Sequence, residues 1–271
     1  MLPEPSTVAG RSGLRAVVAD PAHALVAVDY DGTLAPIVPD PAAAWPADGA
    51  VDALVALAAR VGTLAIVTGR PVRDVLGFLH LDRVAGLTGV VVAGQYGLER
   101  FLDGRLEAPI EAPAVAAARQ RLPALLAATP EARLEDKGHA LAIHTRRSAD
   151  PAGLLAALAP GLRALAEELG LAAEPGRFVL ELRPPGMDKG TALRRLVAEY
   201  GARAVLFAGD DLADLAAFDA VEGLRDQRIP GVTVCSRSAE VTELQDRADL
   251  AVDGPTGVVE LLRSLAIAEA G

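Results

Sequence analysis

Two aspartates one residue apart, Asp29 and Asp31, followed by Gly32 and Thr33, concentrate the reactive chemistry of this sequence. They directly follow the apolar run Leu25-Val26-Ala27-Val28, of the kind that fills a buried parallel strand. In open α/β sheets, ligands bind where strands end at their carboxyl edges. Two carboxylates at such an edge repel each other and are costly to desolvate unless a cation or a proton lies between them. The pair suits a metal-assisted nucleophile with an acid/base partner beside it, an ordinary Asp-Gly turn being the alternative. Further on, Asp210, Asp211 and Asp214 crowd the end of a second apolar run, Ala204 to Ala208. Oxygen-only ligands suit a hard divalent cation such as Mg²⁺, with one of the three aspartates free to cap the following helix.

Two weaker signals lie between these clusters. Thr68-Gly69-Arg70 follows the apolar run Thr63 to Val67, and a threonine hydroxyl with backbone amides at a strand end can hold a phosphate oxygen. Lys189 stands at the start of a helix expected over 191–200. A cation there opposes the helix dipole unless an anion sits beside it, so Lys189 is either a phosphate or nucleophile partner or a solvated lysine. A third strand, Val90 to Ala93, leads into Gly94-Gln95-Tyr96-Gly97-Leu98-Glu99, where Glu99 reads equally as a solvated turn carboxylate.

The elements that must position these residues read as a parallel sheet. A short helix is expected over 14–19, a proline-rich loop over 35–47 holding the single tryptophan Trp45, and a helix from Asp48 to Arg60. Val232–Val234 and Leu250–Val252 are expected as edge strands, with a closing helix from Thr256. From Leu106 to Pro184 the pattern changes to helix, two strands, helix, strand. The helices are expected around 114–128 and 151–170, the second interrupted near Pro160, and the strands at 133–147, broken at Gly138, and at 178–182. This order makes a smaller α/β unit inserted in the parallel core. The expected division is a core of 1–105 and 185–271 with an inserted 106–184. Alternation puts Phe178, Leu180 and Leu182 on one face and Arg177, Val179, Glu181 and Arg183 on the other. Glu135, Lys137, His144, Arg146, Arg177 and Glu181 would share a polar face fit for a hydroxyl-rich ligand, or form an ordinary solvated face of ion pairs.

Composition narrows the partners. With 271 residues the chain can bury a proper core, and 51% hydrophobic but only 3% aromatic residues make that core Ala, Leu and Val. A net charge of −10 argues against nucleic acid and anionic membrane as partners. The one cysteine, Cys235, allows no intramolecular disulfide and fits a reducing compartment. No secretory leader or membrane span is evident, so a cytoplasmic monomer is the expectation.

Asp29-Tyr30-Asp31-Gly32-Thr33-Leu34 resembles the first signature of the haloacid dehalogenase-like phosphohydrolases, and Ala35-Pro36-Ile37-Val38 with Pro41 resembles their trehalose-6-phosphate phosphatase branch. Thr68-Gly69-Arg70, Lys189-Gly190 and the 209–214 cluster resemble the later signatures in the right order. The resemblance implies a Rossmann-like parallel-sheet core with an inserted α/β cap. It implies that Asp29 attacks phosphorus, that Asp31 protonates the leaving oxygen and then activates water, and that Thr68 and Lys189 offset phosphoryl charge. Mg²⁺ would be held by Asp29, the Asp31 carbonyl and Asp210, with Asp211 or Asp214 behind. Arg70, Gly94, Glu135, Lys137, Arg146, Arg177 and Glu181 would bind a sugar phosphate, trehalose 6-phosphate being favoured. Another sugar phosphate, a phosphomutase or a non-catalytic binding protein are the alternatives. The sequence departs from the family at Gln95-Tyr96 (usually Asn-His), at Arg177 (usually lysine) and at Ala213 and Leu215 (usually Thr and Glu).

Overall fold

The uncharged runs at 24–28, 63–67 and 204–209 are strands, each buried along its whole length. They belong to a computed structural model that describes residues 2–81, 83–237 and 243–269. In chain order the first elements are α1 (Val8–Ala19), β1 (Ala24–Val28), α2 (Ala50–Ala58), β2 (Thr63–Val67), α3 (Val72–Leu79), β3 (Val91–Gly94), β4 (Glu99–Leu102) and β5 (Arg105–Glu107). Then come α4 (Pro113–Leu126), β6 (Arg133–Asp136), β7 (Leu141–His144), α5 (Pro151–Leu169), β8 (Ala172–Gly176) and β9 (Val179–Arg183). The last are α6 (Lys189–Tyr200), β10 (Ala204–Gly209), α7 (Leu215–Asp226), β11 (Gly231–Ser236), α8 (Glu243–Arg247), β12 (Leu250–Val252) and α9 (Gly254–Ile267).

The chain divides into two compact units, one of Met1–Glu107 with Asp188–Gly271 and one of Ala108–Met187. The first unit holds a sheet in the order β12-β11-β10-β1-β2-β3-β4-β5. It is parallel from β12 to β3, and β4 and β5 add an antiparallel edge. Because a buried parallel strand has no wet face, β1 sends Val26 and Val28 into one apolar layer and Leu25 and Ala27 into the other. Its register with β10 pairs Val28 with Ala208, so the residues that follow each strand leave the sheet side by side. This is an α/β core built on a largely parallel sheet.

The second unit is a four-stranded antiparallel sheet, β6-β7-β9-β8, with α4 and α5 on one face. Leu141, Ile143, Leu180 and Leu182 point into that apolar layer beside Leu122, Leu162 and Leu165. Cross-strand register lines up Glu135, Ala142, Glu181 and Glu174 on the opposite face.

Several elements differ from the sequence expectation. Helix α1 begins at Val8, not Leu14, because the Thr7 side chain accepts from the Gly10 amide and caps it. Helix α5 runs unbroken through Pro160. Strand β11 lies inside the sheet between β10 and β12, so of these two expected edge strands β12 alone is one. Strands β4, β5 and β8 and helix α3 were not anticipated. Phe178 does not share a face with Leu180: its φ of 59° turns the chain between β8 and β9, and Arg177 sits with it at the hairpin tip. No helix among the described residues is long and apolar enough to cross a membrane.

Candidate active site

Strand β1 extends one residue past its last ladder position, the Asp29 amide donating to the Ala208 carbonyl at 2.8 Å. Asp29 is thereby held beside the end of β10 and is buried, as are Asp210, Asp214 and Lys189. Lys189, in the first turn of α6, places Nζ 2.8 Å from Asp29 Oδ2 and 2.6 Å from Asp214 Oδ1. The two carboxylates are the anions that a lysine at a helix start requires. Asp214 Oδ2 accepts from the amides of Asp210 (3.0 Å) and Asp211 (3.1 Å), so both its oxygens are engaged within the protein.

Asp210 is different. Its Oδ1 is buried and without a hydrogen-bond partner. Carboxylate oxygens of Asp29, Asp210 and Asp214 lie within 4.8 Å of one another. Three buried carboxylates share one ammonium. Burial raises the Asp29 carboxyl to about 8, Lys189 opposing and Asp214 and Asp31 adding to the rise. Burial also pushes Asp210 well above the carboxylate range, with Asp29 and Asp214 adding to it. Burial works against the Lys189 ammonium as well, yet Asp214 and Asp29 hold it protonated. An oxygen-only donor set with excess negative charge and an orphaned acceptor fits a hard divalent cation.

The turn after β1 is tightly built. The Tyr30 carbonyl accepts from the amides of Leu34 (2.8 Å) and Ala35 (2.9 Å), and Gly32 takes a φ of 69°. A β-carbon on Gly32 would fall 1.9 Å from Asp210 Oδ2, so glycine is required on both counts. Ser236, at the end of β11, donates its hydroxyl to the Gly32 carbonyl at 2.6 Å. The Thr33 hydroxyl is buried and unpartnered.

Thr68 and Arg70 follow β2. The Thr68 amide donates to the Ala93 carbonyl at 3.0 Å, and its buried hydroxyl accepts from the Arg70 amide at 3.2 Å. The neighbouring loop closes onto this turn: Gln95 and Tyr96 amides donate to the Arg70 and Thr68 carbonyls, both at 2.9 Å. Gln95 and Tyr96 stand in the left-handed region, φ 46° and 60°. The Glu99 carboxylate fixes this loop, accepting from Gln95 Nε2 (2.8 Å) and from the Val72 amide at the start of α3 (2.7 Å). A side chain at Gly94 would fall 2.8 Å from the Val72 amide nitrogen.

The sequence-derived candidates thus separate. Asp29, Asp210, Asp214 and Lys189 meet in one cluster. Asp31 turns its carboxylate instead onto Arg70, a residue for which the family resemblance implies a substrate contact. Asp211 is outside the carboxylate cluster; its Oδ1 accepts from the Ala213 amide at 3.0 Å and caps the next turn. Gly94 serves close packing. In the second unit, Lys137 Nζ lies 2.5 Å from Glu181 Oε2 and His144 Nε2 lies 2.7 Å from Glu135 Oε2. Arg146 and Arg177 stack on the Phe178 ring at 5.6 and 5.2 Å. Ser236 was missed, having no local signal, and Glu99 was not separable from a solvated turn carboxylate.

The family model for trehalose-phosphatase matches residues 27–253. The chain belongs to the trehalose-phosphatase family. The trehalose-phosphate phosphatase of Mycolicibacterium paratuberculosis is 35% identical over 256 residues, covering 90% of this chain and 62% of that protein. The chain therefore spans less than two thirds of the length of that curated relative. Among solved structures, a trehalose-6-phosphate phosphatase related protein superposes with a TM-score of 0.70 at 25% identity, covering 90% of this chain and 97% of the other. The C-terminal domain of the C. albicans trehalose-6-phosphate phosphatase superposes with a TM-score of 0.74 at 24% identity, covering 98% of each, a likeness of fold.

Proposed function

We propose that the chain is a Mg²⁺-dependent phosphomonoesterase that hydrolyses trehalose 6-phosphate to trehalose and phosphate through an aspartyl phosphate. One observation carries this reading: a buried Asp29 at a strand end, paired with Lys189 and facing an unpartnered Asp210 oxygen. An Asp29 oxygen attacks phosphorus, the bond from phosphorus to the sugar oxygen breaks, and Asp31 gives that oxygen its proton. Asp31 then takes a proton from water, whose oxygen attacks phosphorus; the bond to Asp29 breaks and inorganic phosphate leaves. Lys189 and the Thr68 hydroxyl neutralise charge on the phosphoryl oxygens and hold them in line.

Asp29 and Asp210 would hold the cation, with the Asp31 carbonyl; bound there it offsets carboxylate charge and polarises the phosphoryl group. Asp214 orients Lys189 and the 210–211 backbone behind them, and Asp211 secures the turn. In the second unit, Glu135, Lys137, Arg146, Arg177 and Glu181 supply sugar contacts, carboxylates accepting from hydroxyls and cations donating. The family match and the 35% identity to a trehalose-phosphate phosphatase support this substrate over other esters.

The test is phosphate release from trehalose 6-phosphate, glucose 6-phosphate and sucrose 6-phosphate, with Mg²⁺ and with chelator. Mg²⁺-dependent preference for the trehalose ester is expected, and Asp29→Asn abolishes it. Preference for another ester discards the substrate and keeps the chemistry.

A further inference from the structure

Arg70 is fixed on three sides. Its Nε and Nη2 donate to Asp31 Oδ2 and Oδ1, both at 2.6 Å, in a two-pronged fork. Its Nη1 donates to the Pro41 carbonyl at 2.9 Å. Its guanidinium carbon lies 5.4 Å from the Tyr30 ring and 5.2 Å from the Phe78 ring. Those rings stack on each other at 5.7 Å, the Tyr30 hydroxyl donates to the Ala44 carbonyl at 2.8 Å, and Trp45 meets Phe78 edge-on. The residue between the two aspartates thus buttresses the arginine that grips the second.

Exposure divides the pair: the Arg70 side chain is 12% exposed, the Asp31 side chain 40%. The arginine fork faces the protein, and the carboxylate it holds remains open to a reactant. A group that must give a proton in one step and take one in the next gains most from a fixed direction.

We propose that Arg70 is a positioning residue for Asp31, aiming its carboxylate for both proton transfers, and not a ligand of the substrate phosphate. This rests on the phosphatase reading above and assigns the family-like arginine a different partner. Lysine cannot replace the fork, because a point charge does not hold both oxygens in one plane.

The experiment uses the full chain with Mg²⁺ and two esters, trehalose 6-phosphate and 2,4-dinitrophenyl phosphate, whose leaving group needs no proton. In Arg70→Ala and Arg70→Lys, steady-state turnover of both falls about 10- to 100-fold, the scale on which misorientation of an acid/base group acts. The first turnover of the dinitrophenyl ester keeps its wild-type rate, giving a burst of about one dinitrophenol per enzyme before the slowed hydrolysis. Added guanidinium ion restores turnover in Arg70→Ala; added ammonium does not. Asp31→Asn shows the same burst without rescue. If the Arg70 variants slow the burst itself and raise KM for both esters, Arg70 binds phosphate and the proposal is overturned. If Asp31→Asn shows the burst and the Arg70 variants do not differ from wild type, the proposal alone falls. A wild-type enzyme inert toward every ester overturns both readings. Melting curves identify an unfolded variant, and guanidinium rescue of a folded Arg70→Ala decides the matter independently of Arg70→Lys.

Discussion

Replacing Lys189 by methionine keeps a stem of similar length in the same buried space but removes the ammonium that lies 2.8 Å from Asp29 and 2.6 Å from Asp214. Asp29, Asp210 and Asp214 then share a buried site without any compensating side-chain charge. Removing one partner of a buried ion pair typically costs about 3–5 kcal/mol. For a unit of this size each kcal/mol shifts Tm by roughly 2–4 °C, which predicts a fall of about 6–20 °C in chelator. Because a divalent cation at the proposed site would neutralise the same carboxylates, Mg²⁺ is expected to restore more Tm in Lys189→Met than in wild type. Adding Asp214→Asn to Lys189→Met removes one surplus charge and recovers part of the loss, a coupling that a double-mutant cycle reads directly. The assay is thermal unfolding by circular dichroism with EDTA and with Mg²⁺. A fall below about 2 °C in chelator, or no difference in Mg²⁺ response, would refute the argument that one ammonium holds three buried carboxylates together.

Two further outcomes follow from the same geometry. With the Asp29 carboxyl raised by burial from 3.8 to about 8, the folded state keeps a proton that the unfolded chain has released. The contribution of Asp29 to metal-free stability is therefore fully present below about pH 4 and is lost as pH rises towards about 8, while Mg²⁺ is expected to flatten the slope; urea midpoints at pH 5, 7 and 9 in EDTA check the sign. Ser236→Ala leaves the buried Gly32 carbonyl without the Ser236 hydroxyl, costing about 1–3 kcal/mol and lowering kcat more than it raises KM, as steady-state kinetics on a folded variant would show.

The core was legible because a buried parallel strand is written as an uninterrupted apolar run, and in β1, β2 and β10 that run stops just before Asp29, Thr68 and Asp210, the residues proposed to carry the chemistry. The first helix was read six residues short, since a cap at Thr7 depends on one hydroxyl finding one amide. Strands β4 (Glu-Arg-Phe-Leu) and β5 (Arg-Leu-Glu) are short and charged, so no uninterrupted apolar run marks them. Pro160 predicts a break in α5, but a long helix with an apolar face on α4 keeps its course through one missing amide. Within the site, the cluster of Asp29, Lys189, Asp210 and Asp214 could be anticipated from residue type at strand ends. The hydroxyl of Ser236 on Gly32, 204 residues away, and the turn of Asp31 towards Arg70 depend on tertiary packing, which no local spacing encodes.

The pairing of Val28 with Ala208 sets when in folding this chemistry can first exist. A chain emerging from the ribosome makes β1 early, but the strand that seats Asp29 beside Asp210 comes only after the whole inserted unit. Long-range pairing of this kind is slow and is completed late. A nascent chain that stops before β10 therefore carries Asp29 and Lys189 but lacks Asp210, Asp214 and the Ser236 hydroxyl that meets the Gly32 carbonyl. On the proposed chemistry, the site would be complete only once β10 and β11 have joined the sheet.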